Sequence, residues 1–222
     1  MTSQSEFTRS SLGYLSPSAQ AGLFALPRRC EFVIAEAGLT PKRILDVGCA
    51  SGYISLLLMK LGHDVTGIEL NAQMAADARS RGVEVLEHNL ELPLPIRDES
   101  VDLVHACEII EHLFDTESFL QELHRILVPQ GVLIMSTPNL NSLENRIRVL
   151  LGLPLPMWGA FPADRHGSHV RVFNKTKAIQ LLERTGFRSS KILGINQPRW
   201  STWFTDRLPT FSELLLIKAI RI

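Results

Sequence analysis

The stretch "RILDVGCASGY", Arg43 to Tyr53, decides how the rest of the chain is read. Ile44, Leu45 and Val47 make a short apolar run of the kind that fills a buried strand. Gly48 and Gly52 follow at once. Ile54, Leu57, Leu58 and Leu61 then recur at helical spacing, and Gly62 closes the run. A strand that turns through glycine into a helix leaves free backbone N–H groups and the positive end of a helix dipole at the turn. The spacing excludes two familiar phosphate motifs. A P-loop needs Gly-Lys-Ser/Thr, and a dinucleotide fingerprint needs G-x-G-x-x-G; here the second glycine comes four positions after the first.

Outward from this unit, strand and helix patterns alternate. "DVTGIEL" reads as a second strand, Asn71 as the cap of a helix ending near Gly82, and "VEVLEHN" as a third strand. "VDLVHAC" is a fourth. Asp115 or Thr116 caps a helix that turns Phe119, Leu120, Leu123, Ile126 and Leu127 inward, and "PQG" turns the chain into a fifth strand, "VLIMSTP". Asn174 caps a further helix through Ile179 and Leu182 to Gly186, and "RSSKILGI" and "ELLLIKAI" are the last two strands. Alternation of this kind predicts an α/β fold with a mostly parallel sheet covered on both faces. Two longer segments, Asn139 to Val172 and Asn196 to Ser212, hold Pro, Trp and Arg and read as functional loops or lids. The first opens with a short helix from Ser142 to Leu151.

The 222 residues suffice for one well-buried domain, and 23 basic against 23 acidic side chains leave no global field to attract DNA, RNA or an anionic membrane. Cys30, Cys49 and Cys107 are too few and too scattered for a disulfide framework or a zinc site, so reduced thiols and a cytoplasmic location are expected. No apolar run approaches the roughly 20 residues of a membrane helix. The N-terminus lacks the apolar core of a secretory signal, and Met1 to Ser10 is expected to be mobile.

The chemistry-bearing residues gather where strands end. Glu69 closes the second strand with the reach to accept hydrogen bonds from both hydroxyls of a ribose. After the fourth strand, "ACEIIEHLFD" sets Glu108, Glu111 and His112 close together; were helical geometry to begin at Glu108, all three would share one face. Three readings follow: one of them touches a substrate while the others cap a helix or meet water, His112 is a general base, or the group binds a divalent metal.

"ILDVGCASGY", Glu69, "VDLVHACEIIEHL" and "LVPQGVLIMSTPN" together resemble the class I S-adenosylmethionine-dependent methyltransferases, from about Lys42 to the C-terminus. The resemblance implies a Rossmann-like, doubly wound sheet of seven strands with an antiparallel last strand. It implies a methyltransferase domain over 42–222 carrying a lid insertion at 139–172, preceded by an N-terminal segment and cap helix in 1–41. The family's glycine motif is usually D-x-G-x-G-x-G; Ala50 stands here for the middle glycine. Carried over residue by residue, Asp46 faces the cofactor's amino-acid end, Gly48, Ala50 and Gly52 line its backbone side, Glu69 holds the ribose and Leu70 packs on the adenine. Asn89, beside Leu90, takes the place of an Asp that often binds the adenine amino group, and Cys107 borders the cofactor.

The E-x-x-E-H pattern, with His169 in "GSHVRVF", resembles the metal-dependent small-RNA 2′-O-methyltransferases; E-x-x-E-H alone also resembles the O-methyltransferases of ubiquinone biosynthesis. That likeness implies Glu111 and His112 as catalytic groups. It also implies Glu108, Glu111, His112 and His169 as ligands of Mn²⁺ or a similar ion rather than Mg²⁺. The expected function is S-adenosylmethionine-dependent methylation, at oxygen, of a small-molecule or glycan or lipid-precursor acceptor. An RNA 2′-O-methyltransferase and a non-catalytic S-adenosylmethionine-binding protein are the alternatives; the glycine spacing disfavours an NAD-binding oxidoreductase. In the lid, Arg146, Arg148, Arg165 and Arg171 suit an anionic acceptor and Trp158 and Phe161 a ring-shaped one, unless they only face solvent and pack the lid. Leu150, Leu151, Leu153, Leu155, Trp200, Trp203 and Phe204 suit a lipid or quinone, or peripheral contact with a membrane surface.

Overall fold

Helix and strand alternate along the chain as the apolar pattern requires. The computed structural model describes residues 27–155, 169–196 and 207–222. The expectations for Met1 to Ser10, and for Trp158, Phe161, Arg165, Trp200, Trp203 and Phe204, lie outside the described residues. Helix α1 (Pro27–Ala37) precedes β1 (Arg43–Val47), α2 (Tyr53–Lys60), β2 (Asp64–Glu69), α3 (Ala72–Ser80), β3 (Glu84–Glu87) and β4 (Val101–Cys107). A short 3-10 turn (Ile110–His112) leads to α4 (Thr116–Ile126), β5 (Leu127–Pro138), α5 (Leu143–Leu150), α6 (Lys175–Arg184), β6 (Phe187–Ile195) and β7 (Leu214–Arg221). The sheet has seven strands in the order β3-β2-β1-β4-β5-β7-β6. The strands from β1 to β5 pair in parallel, while β7 runs antiparallel to both β5 and β6.

Both faces of the sheet are dry, and the period of two sorts residues between them. Leu45, Val47, Val104 and Ala106 pack on one side with Phe119, Leu120 and Leu123 of α4 and Leu182 of α6. Ile44 and Leu103 point the other way, into a cluster with Phe32, Val33 and Ala37 of α1 and Leu58 of α2. Asp46 and His105, opposite one another in register, fall on this second side. The four helix caps legible from residue type are all formed. Asn71, Asp115, Ser142 and Asn174 each accept a hydrogen bond from the backbone N–H three residues on.

Two local readings are corrected. The "PQG" turn does not separate a helix from a strand. Helix α4 ends at Ile126, and Leu127 already pairs with Val101; the next paired residue of β5 is Val132, opposite Leu103. The intervening residues bulge, with Gln130 at φ +63°, where the register shifts between Val101 and Leu103. Nor does helical geometry begin at Glu108. Its N–H donates to the Ser136 carbonyl and its φ is +57°, so the chain prolongs the pairing of β4 with β5 before turning.

The two irregular segments are tied together at their bases. Asn139 and Phe173 form an isolated bridge across the long insertion. The buried Asn139 side chain donates to the carbonyls of Thr210 and Ser212, at the end of the second segment.

Candidate active site

A cavity of about 210 Å³ opens over the carboxyl ends of β1 and β4, walled by Arg29, Cys30, Asp46, Gly48, His105 and Cys107. Its floor is the turn after β1. Gly48 has φ +68°, and a Cβ there would fall 2.2 Å from the Ile109 Cδ1 atom, so a side chain would have to push Ile109 aside while holding a left-handed backbone. Ala50 also has a positive φ of 47°. A residue with a side chain therefore holds the left-handed conformation at the middle position of the motif. Gly52, at φ +79°, starts α2.

Asp46 is 2% exposed, and both its oxygens are engaged: one accepts from Ser55, the other lies 2.7 Å from His105 Nδ1. It borders the cavity, but its carboxylate is turned to its neighbours. Glu69 ties the site together, one oxygen accepting from Ala50 N at 3.0 Å and the other from Asn71 N at 2.8 Å. Each oxygen keeps a second lone pair for another donor. Leu70 is two-thirds exposed. Exposed Asn89 accepts from Glu91 N, and Leu90 packs on the core. Cys107 is half-buried at the cavity wall.

Two residues that the sequence reading passed over stand in the same cavity. Arg29, on α1, has its Nε and Nη1 buried with no partner among the described residues. Two consecutive arginines at the start of a helix just before β1 were the available signal. His105 is buried, with Nε2 lacking a partner among the described residues. Its signal was a histidine inside an otherwise apolar strand. Burial works against the charged imidazole, but Cys107 and the Asp46 carboxylate outweigh it and hold its pKa well above the usual histidine range.

A second group stands at the end of β4. Glu111, His112 and His169 each offer a ligand atom, all within 4.8 Å of one another. The two imidazole rings meet edge to face with centroids 4.8 Å apart. Val170 and Arg171 donate their backbone N–H groups to the Glu111 carbonyl, which fastens the end of the insertion against the end of β4. Glu111 is 1% exposed, and neither of its carboxylate oxygens has a hydrogen-bond partner among the described residues. Burial first, and the charge of Glu108 second, push its pKa well above the usual carboxylate range. Glu108 does not join the group. It accepts a hydrogen bond from Ser136 instead, a consequence of its left-handed backbone.

The lid arginines in the described residues are engaged within the protein. Arg146 lies over the Phe211 ring, Arg148 pairs with Glu144, and Arg171 donates to the Phe114 carbonyl. Leu143, Ile147, Leu153 and Phe211 line a second, open cavity of about 460 Å³ beside α5. No helix among the described residues is long and apolar enough to cross a membrane.

Residues 45–135 match the family model for a methyltransferase domain. Over 155 residues the chain is 35% identical to a probable S-adenosylmethionine-dependent methyltransferase of Mycolicibacterium smegmatis, covering 68% of this chain and 54% of that one. It is 33% identical over 124 residues to a ubiquinone biosynthesis O-methyltransferase of Histophilus somni, covering 51% and 52%. The chain thus spans about half the length of these curated relatives. Among solved structures, an S-adenosylmethionine-dependent methyltransferase of Thermotoga maritima, described as a possible histamine N-methyltransferase, superposes with a TM-score of 0.67 at 22% identity over 90% of both chains. Another, from Archaeoglobus fulgidus, also gives 0.67, at 17% identity over 91% of this chain and 94% of that one. At those identities the likeness is one of fold, and it agrees with the sheet order described above. By the glycine turn, the strand order and these relatives, the chain is similar to the class I S-adenosylmethionine-dependent methyltransferases, with residues 45–135 matching a methyltransferase domain.

Proposed function

We propose that the protein transfers the methyl group of S-adenosylmethionine to a hydroxyl oxygen of a small-molecule, glycan-precursor or lipid-precursor acceptor. The observation that carries this reading is the placement of two different sites at the end of one strand. The glycine-floored cavity lies on one side of β4's carboxyl end, and the Glu111–His112–His169 group follows directly after it. The residues present fit the donor. Two buried Arg29 nitrogens have no hydrogen-bond partner among the described residues and suit a carboxylate, Glu69 retains acceptor capacity for ribose hydroxyls, and Gly48 leaves the floor bare. When bound, the donor supplies a sulfonium-activated methyl group that needs only an aligned nucleophile. The protein's part is then to orient donor and acceptor in line and to exclude water. Glu111 and His112 are the groups that take the acceptor's proton.

A divalent metal is a second reading at the same place, favoured by the unpartnered Glu111 carboxylate beside two imidazoles. That donor set fits Mn²⁺, Fe²⁺, Co²⁺ or Zn²⁺, held by Glu111, His112 and His169, and a bound ion would lower the pKa of an acceptor hydroxyl. The names of the ubiquinone-biosynthesis relatives support oxygen as the methylated atom. The balanced charge counts against RNA and DNA. Three free cysteines agree with a cytoplasmic location.

The test is donor consumption by the purified protein against phenols, catechols, sugars, quinone precursors and short RNAs, with and without Mn²⁺. Formation of S-adenosylhomocysteine with a hydroxylated small acceptor is the expected result. Turnover with RNA alone would replace the acceptor class. Tight binding of S-adenosylhomocysteine without turnover on any acceptor would leave a binding protein.

A further inference from the structure

Among the described residues, the charged side chains that line the cavity read above as the methyl-donor site are Arg29, Asp46 and His105. Asp46 is committed to the protein: one oxygen accepts from Ser55, and the other lies 2.7 Å from His105 Nδ1. The sheet accounts for that pair. Asp46 of β1 and His105 of β4 are partners in the parallel register, so their side chains rise together from one face. Both are buried, at 2% and 4% exposure. A carboxylate in so dry a place needs a cation beside it, and the imidazole supplies one. Burial favours the neutral ring, but Cys107 and the Asp46 carboxylate outweigh it, and the histidine pKa is raised to about 10.

A ring protonated at both nitrogens has a second N–H to give. His105 Nε2 is buried without a hydrogen-bond partner among the described residues, and the residue forms part of the cavity wall. A histidine that merely filled the core would have both nitrogens satisfied. Arg29 repeats the pattern from helix α1, its Nε and Nη1 buried and unpartnered among the described residues in the same wall. Two cations and one anion leave this wall one positive charge in excess, the complement of a single carboxylate. S-adenosylmethionine carries its one carboxylate on its amino-acid end.

We propose that His105 is a ligand-binding residue whose Nε2–H donates to the carboxylate of the methyl donor, held between the imidazolium and the Arg29 guanidinium. Asp46 is then a positioning residue. It stands beside the amino-acid end, as the resemblance implies, but the contact is made by His105, which Asp46 orients at Nδ1 while Ser55 steadies the other carboxylate oxygen. The proposal rests on the donor reading of the cavity and adds to it a partner from the central strand. Because Arg29 comes from α1 and His105 from β4, a carboxylate between them also ties the helix to the sheet.

The experiment measures two ligands by calorimetry on the full chain. One is S-adenosylhomocysteine; the other is its decarboxylated analogue, which keeps the ammonium and lacks the carboxylate. His105→Asn keeps an N–H for Asp46 and removes the second ring nitrogen. It weakens binding of S-adenosylhomocysteine by about tenfold or more, the size of a lost buried charge-assisted hydrogen bond, and leaves the analogue within about twofold of its wild-type affinity. Equal losses for both ligands, or a loss for neither, overturn the proposal, because a merely structural histidine would not tell the two apart. If circular dichroism shows His105→Asn unfolded, ¹⁵N spectra of histidine-labelled wild type decide instead. Both His105 ring nitrogens carry protons at neutral pH, and the Nε2 resonance moves with S-adenosylhomocysteine but not with the analogue. An unprotonated Nε2 in the complex, or equal shifts with the two ligands, overturns the proposal. Wild type that binds neither ligand refutes the donor reading and the proposal with it, whereas binding of both with equal losses in His105→Asn refutes the proposal alone.

Discussion

Buried Glu111 is costly to the fold. Its carboxylate is buried, without a hydrogen-bond partner among the described residues, and close to the charge of Glu108. Its pKa is therefore higher folded than unfolded. Between the two values the native state binds more protons than the unfolded chain, so stability falls as pH rises through that window. The window opens near the ordinary glutamate value of 4.5. Glu111→Gln keeps the shape and removes the charge. In metal-free protein it should raise stability by about 1–3 kcal/mol at neutral pH and by little at pH 4. Chemical denaturation at the two pH values measures this, and a variant less stable at both would mean that the carboxylate is satisfied after all. From sequence, Glu111 and His112 stood out by type and spacing, and His169 by its place at the end of the insertion. Glu108 was misplaced because its left-handed backbone follows from pairing with Ser136, a contact 28 residues away in sequence.

Among the elements, helices and strands with local signals were legible and those set by distant contacts were not. The caps at Asn71, Asp115, Ser142 and Asn174 depend on one side chain and its own next turn. The bulge in β5 depends on Leu127 reaching Val101, which no local pattern encodes. Helix α1 is the instructive case. It was read as a cap over the site, and its packing through Phe32, Val33 and Ala37 makes it a wall of the cavity proposed for the donor, where it places Arg29. Were α1 only a cover, changing one of its cations would leave affinity intact. Arg29→Met keeps the apolar stem and removes the charge. It should weaken binding of S-adenosylhomocysteine by about tenfold to a hundredfold, the range expected for a lost buried charge-assisted contact. It should leave 5′-methylthioadenosine, which has no carboxylate, almost unaffected. Calorimetry with the two ligands separates the outcomes, and an equal loss for both would assign Arg29 to the fold and not to the ligand.

Across the whole molecule, the sheet brings every strand's carboxyl end except that of β7 to one edge, and the irregular segments are anchored at that edge. The anchor is Asn139. It is fully buried; Nδ2 donates to the Thr210 and Ser212 carbonyls, Oδ1 accepts from Asn141 N, and its backbone N–H donates to Glu213. One side chain thus joins the start of the long insertion to the chain entering β7. Asn139→Ala would leave two carbonyls and one amide, one of them fully buried and two partly so, without these partners, at a cost of about 2–4 kcal/mol. For a domain of this size that lowers the thermal midpoint by about 4–16 °C, which calorimetry detects. The site offers a sharper readout. The cavity proposed for the donor is built from β1, β4, α1, α2 and the turn between β1 and α2, none of which touches Asn139 in the contacts above, whereas the insertion's far end carries His169. Below its melting range, Asn139→Ala should therefore bind S-adenosylhomocysteine almost as tightly as wild type while losing turnover on whichever acceptor is found. A parallel loss of donor affinity would show that the loops and the donor cavity move as one unit.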